Sequence, residues 1–408
     1  MLKRIDVIAD ADASLYAVLL PQYRPERVFG NATQSRGRRL TDITQAIKVK
    51  HPLYAVVGHA LWSGSSTATR ALGLPPELAI HLVNAVISAI NLVLFILLAE
   101  ALGQSIKVVA PLSLLYAGAA SPWVLGAVPE SWPLSATVSL LFLVMLYRFR
   151  CSWLVLGLVA GIGMLNNPFL GGLLIVFWMH EIASRRGRPA AVMARIAASG
   201  AIALLAFVGS LEFLSLWDEQ YRVAGFLERA TWFQERNVAL LASRHYPDPS
   251  SLDALKGSIG NWLVTAVVSF QSDPFFPVES LKSTLRESWL GRAGVAAYLG
   301  LAVTAGLTAM SSLRRGHGRL PAFQGYASPF AILIVVWWLL GHLYYWPCTF
   351  LFSPPAVPLL ILLLGCYLSR LPVWTVSLVW MACLTVVATN TAQILRIRDA
   401  LEVMAGGR

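Results

Sequence analysis

The stretch Ala79–Glu100, AIHLVNAVISAINLVLFILLAE, decides the fold. It carries no Asp, Glu, Lys or Arg before Glu100, and it has the ~20 residues with which an apolar helix crosses the core of a bilayer. The whole chain shares this character, since 57% of its 408 residues are hydrophobic and only 13% are charged. Ordinary water-soluble proteins carry about 25% charged residues. The composition therefore predicts a polytopic membrane protein and excludes a disordered chain, a collagen and a coiled coil.

Further apolar runs predict an all-α fold with about ten transmembrane helices. The fourth and fifth runs are short and meet at Asn166-Asn167-Pro168, which is a turn signal. The ten predicted spans are Ala79–Glu100, Val108–Val124, Leu134–Tyr147, Trp153–Leu165, Phe169–Ile182, Ile196–Leu216, Gly294–Leu313, Ala327–Tyr345, Ala356–Leu368 and Pro372–Thr389.

The short loops alternate in charge and predict the orientation. Residues 121–133, 165–168 and 344–355 contain no Lys or Arg, and positive-inside reasoning places these loops on the outer face. Scattered loop cations account for the net charge of +11, so we predict no nucleic-acid partner. We expect a multi-pass protein of the bacterial inner (plasma) membrane. The basic loops, predicted to be cytoplasmic, contain Lys107, Arg148, Arg150, Arg185, Arg186, Arg188, Arg314, Arg315, Arg319 and Arg370.

Two long hydrophilic stretches fall on the predicted outer face and divide the chain into four parts. Residues 1–78 form an outer loop with amphipathic helices, 79–216 a bundle of six spans, 217–293 an outer cap or loop, and 294–408 a bundle of four spans with a tail. Nothing before residue 1 would carry the first part across, so either the N-terminus is translocated unaided or, as we expect, an additional helix lies upstream. The four cysteines form no CxxC pair and no metal-ligand spacing, which disfavours a disulfide framework and a zinc site.

Acidic residues on the predicted outer face are the candidate catalytic groups. Asp10 and Asp12 lie near the start of the chain, and Asp12 would share a helix face with Tyr16, four residues later. Glu130 lies between prolines in a tight outer loop. A carboxylate in such a place can remove a proton from an acceptor hydroxyl as the hydroxyl attacks the anomeric carbon of a sugar.

A basic stretch close to the predicted membrane surface complements these acids. It runs from Lys48 and Lys50 to His51 and Tyr54, at the start of an amphipathic segment. Lysine and histidine can hold a lipid phosphate and neutralise the charge that develops on it as it leaves. Because the sugar is polar and the lipid tail is apolar, such a site belongs at the membrane interface.

These residues resemble the GT-C superfamily of integral-membrane glycosyltransferases, in particular the dolichyl-phosphate-mannose mannosyltransferase-like enzymes. The resemblance covers roughly residues 6–190 and rests on the order and spacing of Asp12 to Tyr16, His51-Pro52-Leu53-Tyr54, Leu74-Pro75-Pro76-Glu77-Leu78 and Pro129-Glu130. It implies a polyprenyl-phosphate-linked sugar donor, inverting direct displacement, and a glycan, lipid or protein acceptor among membrane lipids.

The family pattern also implies roles for single residues. Asp12 matches the essential acid of the first outer loop, with Asp10 as second choice, and Glu130 matches an acid of the next loop. The family's usual first helix is absent from the chain, which agrees with the expected upstream helix. Tyr345 lies in a stretch similar to the family's late aromatic and proline segment, but no arginine stands beside it, so the family's phosphate contact is not carried over.

Simpler interpretations of the same residues stay open. Asp10, Asp12 and Glu130 could stabilise helix starts, and His51 could be a surface residue. Polar groups within a span often form helix–helix hydrogen bonds, which would account for His81, Asn84 and Asn91. Asn166 and Asn167 could be turn formers. Asp218, Glu219 and Asp273 could bind a divalent metal, but no ligand spacing supports one, so we predict no cofactor.

Two other functional classes remain. A transporter or flippase would place ionisable residues near the middle of the membrane, whereas the acids of this chain concentrate in loops. A non-catalytic membrane scaffold is the third class. The position of the acids favours surface chemistry and hence the transferase.

Overall fold

The computed structural model describes residues 51–75, 78–126, 131–184, 189–216, 221–228, 231, 235, 248, 250–268, 289–314, 321–345, 353–369 and 371–406. Throughout these ranges, the regular secondary structure is entirely helical, as the sequence predicted. The first eight α-helices are α1 Pro52–Ala71, α2 Leu78–Ala101, α3 Ile106–Ala117, α4 Ala120–Gly126, α5 Trp132–Tyr147, α6 Trp153–Met164, α7 Leu173–Ser184 and α8 Pro189–Ser215.

The later part of the described chain adds a short helix and four apolar ones. A π-helical turn follows α9, and single 3-10 turns, Pro168–Gly172 and Val373–Thr375, precede α7 and α13. These helices are α9 Leu252–Gly260, α10 Trp289–Arg314, α11 Pro321–Tyr345, α12 Val357–Leu368 and α13 Val376–Gly406.

Five of the described helices, α2, α8, α10, α11 and α13, are long and apolar enough to cross a membrane. Five shorter apolar helices, α3, α5, α6, α7 and α12, occupy the other predicted positions. A 12-residue helix such as α6 is about 18 Å long, whereas the hydrocarbon core is ~30 Å thick. Five candidate spans are therefore confirmed by length and composition, and the total of about ten crossings stays a prediction.

The predicted span Val108–Val124 is not one helix. It breaks at Gly118 and Ala119 into α3 and α4. A Cβ atom on Gly118 would lie 2.6 Å from Val387 Cγ2, so only glycine allows this approach of α3 to α13. The Asn390 side chain donates hydrogen bonds to the carbonyls of Gly118, at 2.7 Å, and Val267, at 2.8 Å, and so satisfies backbone that the break exposes.

One apolar core joins the early and late helices. Phe95 of α2, Leu112 of α3 and Phe142 of α5 belong to the same buried cluster as Phe330 of α11 and Leu359 of α12. Each of these five side chains is inaccessible to solvent. The helices before and after the predicted outer cap therefore pack as one bundle.

The short loops at the two ends of this bundle differ in charge. At one end, Ser353 donates to Ser121 at 2.8 Å, and Asn166 donates to the Ser131 carbonyl at 3.0 Å; we call this the uncharged end. At the other end, the ring of Tyr147 contacts those of His180 and Tyr326. This basic end carries the exposed side chains of Lys107, Arg148 and Arg150. The contacts between helices thus bring the uncharged loops together at one end and the basic loops together at the other, as the alternation of charge along the chain predicts.

Glycines bring α6 unusually close to α8. A Cβ on Gly157 would lie 2.7 Å from the Ser199 carbonyl oxygen, and one on Gly161 would lie 2.8 Å from Ala206 Cβ and closer still to the Ala203 carbonyl. Small residues spaced four apart allow this kind of backbone contact between membrane helices. The contact also shows that the end of α6 meets the middle of α8.

The start of α5 likewise meets the middle of α2. Asn91, near the middle of α2, donates to the carbonyl of Pro133 at the start of α5, at 2.9 Å. The halves of α2 and α8 nearest the uncharged end therefore extend beyond α5 and α6. The first turns of α1 are buried in the space that this arrangement leaves, while most of its second half is exposed.

Candidate functional site

Six polar side chains form a buried cluster at the uncharged end, which we call the His51 cluster. Four of them, Tyr54, Asn84, Ser131 and Ser135, come from or directly precede helices α1, α2 and α5, and Asn166 follows α6. All are inaccessible to solvent except His51, which is 4% exposed. Burial of so many polar groups is costly unless they are hydrogen-bonded. The pattern of these bonds therefore defines the site.

His51 owes its position to the start of α1. Pro52 occupies the first helical turn, where its fixed φ is favourable and its missing N–H costs nothing. His51 itself is not helical, with φ −137° and ψ 63°, and its carbonyl accepts the first helical bond, from the N–H of Ala55 at 3.1 Å. The imidazole therefore points away from the helix and into the bundle.

The His51 ring donates a hydrogen bond from Nδ1 to the backbone carbonyl of Asn166. A carbonyl oxygen only accepts, so the neutral ring carries its proton on Nδ1 and its lone pair on Nε2. Histidines that act as bases or phosphate ligands are commonly oriented by such a bond. The ring also packs edge-on against Trp132, with ring centres 6.1 Å apart.

Asn166 connects His51 to the start of α5. Its side-chain amide donates to the Ser131 carbonyl at 3.0 Å and to the Ser135 hydroxyl at 2.7 Å. Ser131 directly follows Glu130 in the chain. The segment that begins with His51 and the segment that follows Glu130 therefore meet at Asn166 and also at the contact between the His51 and Trp132 rings.

A second set of bonds attaches α1 and α5 to α2. Tyr54 follows His51 by three residues in the chain. Its hydroxyl donates a hydrogen bond to the Asn84 side chain at 2.9 Å. Beside the cluster, Asn91 borders a cavity of about 210 Å³ whose other walls include Pro122, Pro133 and Pro354. Proline and alanine side chains make this cavity mostly apolar. It lies between α2, the end of α3 and the start of α5.

Two of the predicted site residues can be placed. His51 and Tyr54 are both buried in the His51 cluster, so the interpretation of His51 as a surface residue is wrong. Tyr345 is the last residue of α11, and its side chain lies outside the described residues. The other predicted residues, Asp10, Asp12, Tyr16, Lys48, Lys50 and Glu130, also lie outside them.

The alternatives for the asparagines are partly confirmed. Asn84 and Asn91 do form hydrogen bonds between helices. Asn167 is a turn former, since its side chain accepts from the N–H of Phe169 at 3.0 Å. Asn166 does more than form a turn, because it bonds to two other segments, at His51 and at the start of α5. The only sequence signal for these bonds is the position of Asn166 between two apolar runs.

A larger cavity, which the sequence did not indicate, lies at the basic end. Its volume is about 830 Å³, and it lies among the ends of α2, α5 and α7 and the first turns of α6 and α8. Its lining includes the side chains of Arg150, His180, Glu181 and Arg195. Arg195 forms an ion pair with Glu181 at 3.5 Å. Each of these residues lies at the edge of an apolar run, where a charge is ordinary and gives no signal.

Metal ligands do not converge anywhere in the part of the chain that the structure describes. No three His, Cys, Asp or Glu side chains there are grouped as a metal ion would require. The His51 cluster consists instead of amide, hydroxyl and imidazole groups. Such groups suit hydrogen bonding to a sugar or a phosphate.

No protein-family model, curated protein or solved structure matches the chain.

Proposed function

We propose that the protein is a membrane glycosyltransferase of the bacterial inner membrane, with its uncharged end facing outward. It takes a sugar from a polyprenyl-phosphate donor and transfers it to a glycan, lipid or protein acceptor. The proposal continues the resemblance to the GT-C superfamily that the sequence suggested.

The hydrogen bonds of Asn166 carry the proposal. They join His51, from the segment that contains the proposed base and the proposed phosphate ligands, to Ser131, the residue after Glu130. The sequence separates these segments by about eighty residues, yet the transferase requires their groups to meet at one substrate.

The proposed reaction is a single displacement at the anomeric carbon. Asp12, with Asp10 as second choice, accepts the proton of the acceptor hydroxyl as its oxygen forms the new bond to that carbon. The bond from the anomeric carbon to the phosphate oxygen breaks, and its electron pair leaves with the polyprenyl phosphate. Lys48 and Lys50 neutralise the leaving phosphate, and Glu130 is the second acid of the site.

The described residues support a role for His51 in holding the donor. Its Nδ1 proton is committed to the Asn166 carbonyl, so a protonated ring would present the Nε2 proton to a phosphate oxygen. Tyr16, Tyr54 and Tyr345 are proposed to contact the substrates. The mostly apolar cavity beside Asn91 offers space to the first part of a lipid chain next to these polar groups.

Neutralising the proposed base tests the proposal. Asp12→Asn retains size and removes basicity, so sugar transfer from a labelled polyprenyl-phosphate donor, measured in membranes that contain the variant, should fall about 10²–10⁴-fold. Asp6→Asn is the matched control, because Asp6 lies in the same segment and has no proposed role. Transfer should survive in this control.

Equal transfer by the wild type and by a variant with both Asp10 and Asp12 neutralised would remove the proposed base. The yield of monodisperse protein after solubilisation in detergent shows whether a variant folds and inserts into the membrane. A variant with a normal yield and reduced transfer has lost the reaction itself. That yield should be equal for Asp6→Asn and Asp12→Asn.

A transporter or flippase is the second candidate. The observation that favours it is the polar cavity at the basic end, because a substrate that crosses the bundle needs polar groups at both ends. Glu181 and Arg195 lie at this cavity within apolar helices. Movement of a polyprenyl-linked sugar from one leaflet of a proteoliposome membrane to the other, without transfer of the sugar to an acceptor, would favour this candidate over the transferase.

A further inference from the structure

The cavity at the basic end has no part in the proposed transfer reaction. Its volume of about 830 Å³ lies within the range of about 300–1,000 Å³ typical of small-ligand sites. It lies at the opposite end of the bundle from the His51 cluster. Ligand binding in this cavity is therefore independent of the transferase activity.

The charges around this cavity favour an anion. Glu181 is buried, and its charge is offset by Arg195 at 3.5 Å. Arg150 forms no ion pair with any acid in the described part of the chain. His180 adds a third group that can carry positive charge. The lining thus has an excess of positive charge in a concave setting, where the field is focused.

The rest of the lining matches an amphiphile rather than a free ion. Leu102, Phe177 and Trp153 supply apolar surface next to the arginines. The hydroxyl of Tyr147 is buried and has no hydrogen-bond partner among the residues that the structure describes. A ligand oxygen that accepted this bond would remove a cost of burial.

The backbone of Arg150 provides an independent observation. Its φ is +50°, and it is the single non-glycine residue with positive φ in the described ranges. Glycine adopts this conformation at the lowest cost and is the common residue in such turns after helices. The chain nevertheless has arginine here, in the turn between α5 and α6. Strain of this kind persists where the surrounding structure or a function requires it.

We propose that this cavity binds the phosphate group of an anionic phospholipid, with Arg150 as its main cationic ligand. A soluble phosphate ester would offer the same chemistry, and the experiment separates the two sources. Basic pockets between helices on the cytoplasmic side are suited to such headgroups. Arg195, held by Glu181, and His180 complete the polar wall, and the apolar wall contacts the acyl chains.

Cys151 reports on occupancy, because it lines the cavity directly after Arg150 and its thiol is free. The test measures the rate at which N-ethylmaleimide modifies Cys151, quantified by mass spectrometry of its peptide. The full chain is placed in phosphatidylcholine nanodiscs with increasing amounts of phosphatidylglycerol. A parallel series adds inorganic phosphate or glycerol phosphate to nanodiscs of phosphatidylcholine alone.

We expect phosphatidylglycerol to slow the modification of Cys151. Arg150→Gln should raise the amount of lipid needed for half-protection about tenfold, which is the size of one lost charge-assisted hydrogen bond. Arg148→Gln is the matched control, since Arg148 is exposed on the same turn and does not line the cavity. Arg150→Gly relieves the positive φ, so it should lose protection without losing thermal stability.

The outcomes separate the two sources of phosphate. Protection by phosphatidylglycerol alone assigns the cavity to a lipid headgroup, and protection by the soluble anions as well assigns it to phosphate esters in general. Modification at the same rate under all conditions would overturn the proposal, and so would equal effects of Arg148→Gln and Arg150→Gln.

Discussion

The His51 side chain combines a structural bond with a chemical group, and substitution can separate the two. His51→Ala removes the hydrogen bond to the Asn166 carbonyl and leaves that buried acceptor unpaired. We expect a loss of about 1–3 kcal/mol in the free energy of unfolding, measured by thermal unfolding in detergent. His59→Ala is the control, since His59 is half-buried on the same helix and lies outside the cluster. Equal losses of stability in His51→Ala and His59→Ala would show that the hydrogen bond from His51 to Asn166 does not stabilise the fold.

His51→Gln addresses the chemical role at the same position. Glutamine can still donate to the Asn166 carbonyl, but it cannot carry the positive charge of a protonated imidazole. Most of the stability should return, while transfer from the polyprenyl-phosphate donor stays low with a raised KM for the donor. Recovery of full transfer in His51→Gln would reduce His51 to a structural residue.

At the scale of an element, the close approach of α6 to α8 predicts that two glycine-to-alanine substitutions change the stability in opposite directions. Gly161→Ala places a methyl group against the Ala203 carbonyl and 2.8 Å from Ala206 Cβ, so the helices must separate. We expect a destabilisation of about 1–3 kcal/mol. Gly209→Ala, on α8 with nothing within 4 Å of its Cβ, should gain up to about 1 kcal/mol from helix propensity alone. Thermal unfolding of the two variants compares them, and stabilisation by both would contradict the packing.

Hydropathy predicted where the apolar helices lie because a run of apolar residues is a local property. It did not predict where they end. The predicted sixth span begins at Ile196, whereas α8 begins at Pro189 and includes Arg195, which pairs with Glu181 of α7. The break at Gly118 depends on Asn390, whose bond reaches across 272 residues of the chain. Such partners cannot be identified from a local pattern.

The same limit applied to the candidate site. The types of His51 and Tyr54 and their place before an amphipathic run were enough to single them out. Asn166-Asn167-Pro168 indicates a turn, but the bond between Asn166 and His51 cannot be predicted from it because His51 is 115 residues away. The basic-end cavity was missed for a related reason, since Arg150, His180 and Arg195 come from three separate helix boundaries.

For the whole molecule, the charge difference between the two ends predicts its orientation in the membrane. Cysteines placed at Ser63 and Thr67, exposed residues of α1, should react with a membrane-impermeant maleimide added to intact cells. Cysteines at Ser105 and Ser184, exposed at the basic end, should react only after permeabilisation. A Cys348→Ser background removes the native cysteine of a predicted outer loop. Labelling in the reverse pattern would place the basic end outside and remove the proposed location of the transferase site.

The shortness of α6 has a consequence for the surrounding lipid. Its exposed stripe of Leu154, Leu158 and Ile162 presents only about 12 Å of apolar height at a rise of about 1.5 Å per residue. A bilayer adapts to such a hydrophobic mismatch by local thinning, at a cost of a fraction of a kcal/mol per ångström. Headgroups and water would then descend beside α6 toward the level of Asn166. A polar acceptor could reach the His51 cluster from this depression without crossing the full depth of a leaflet.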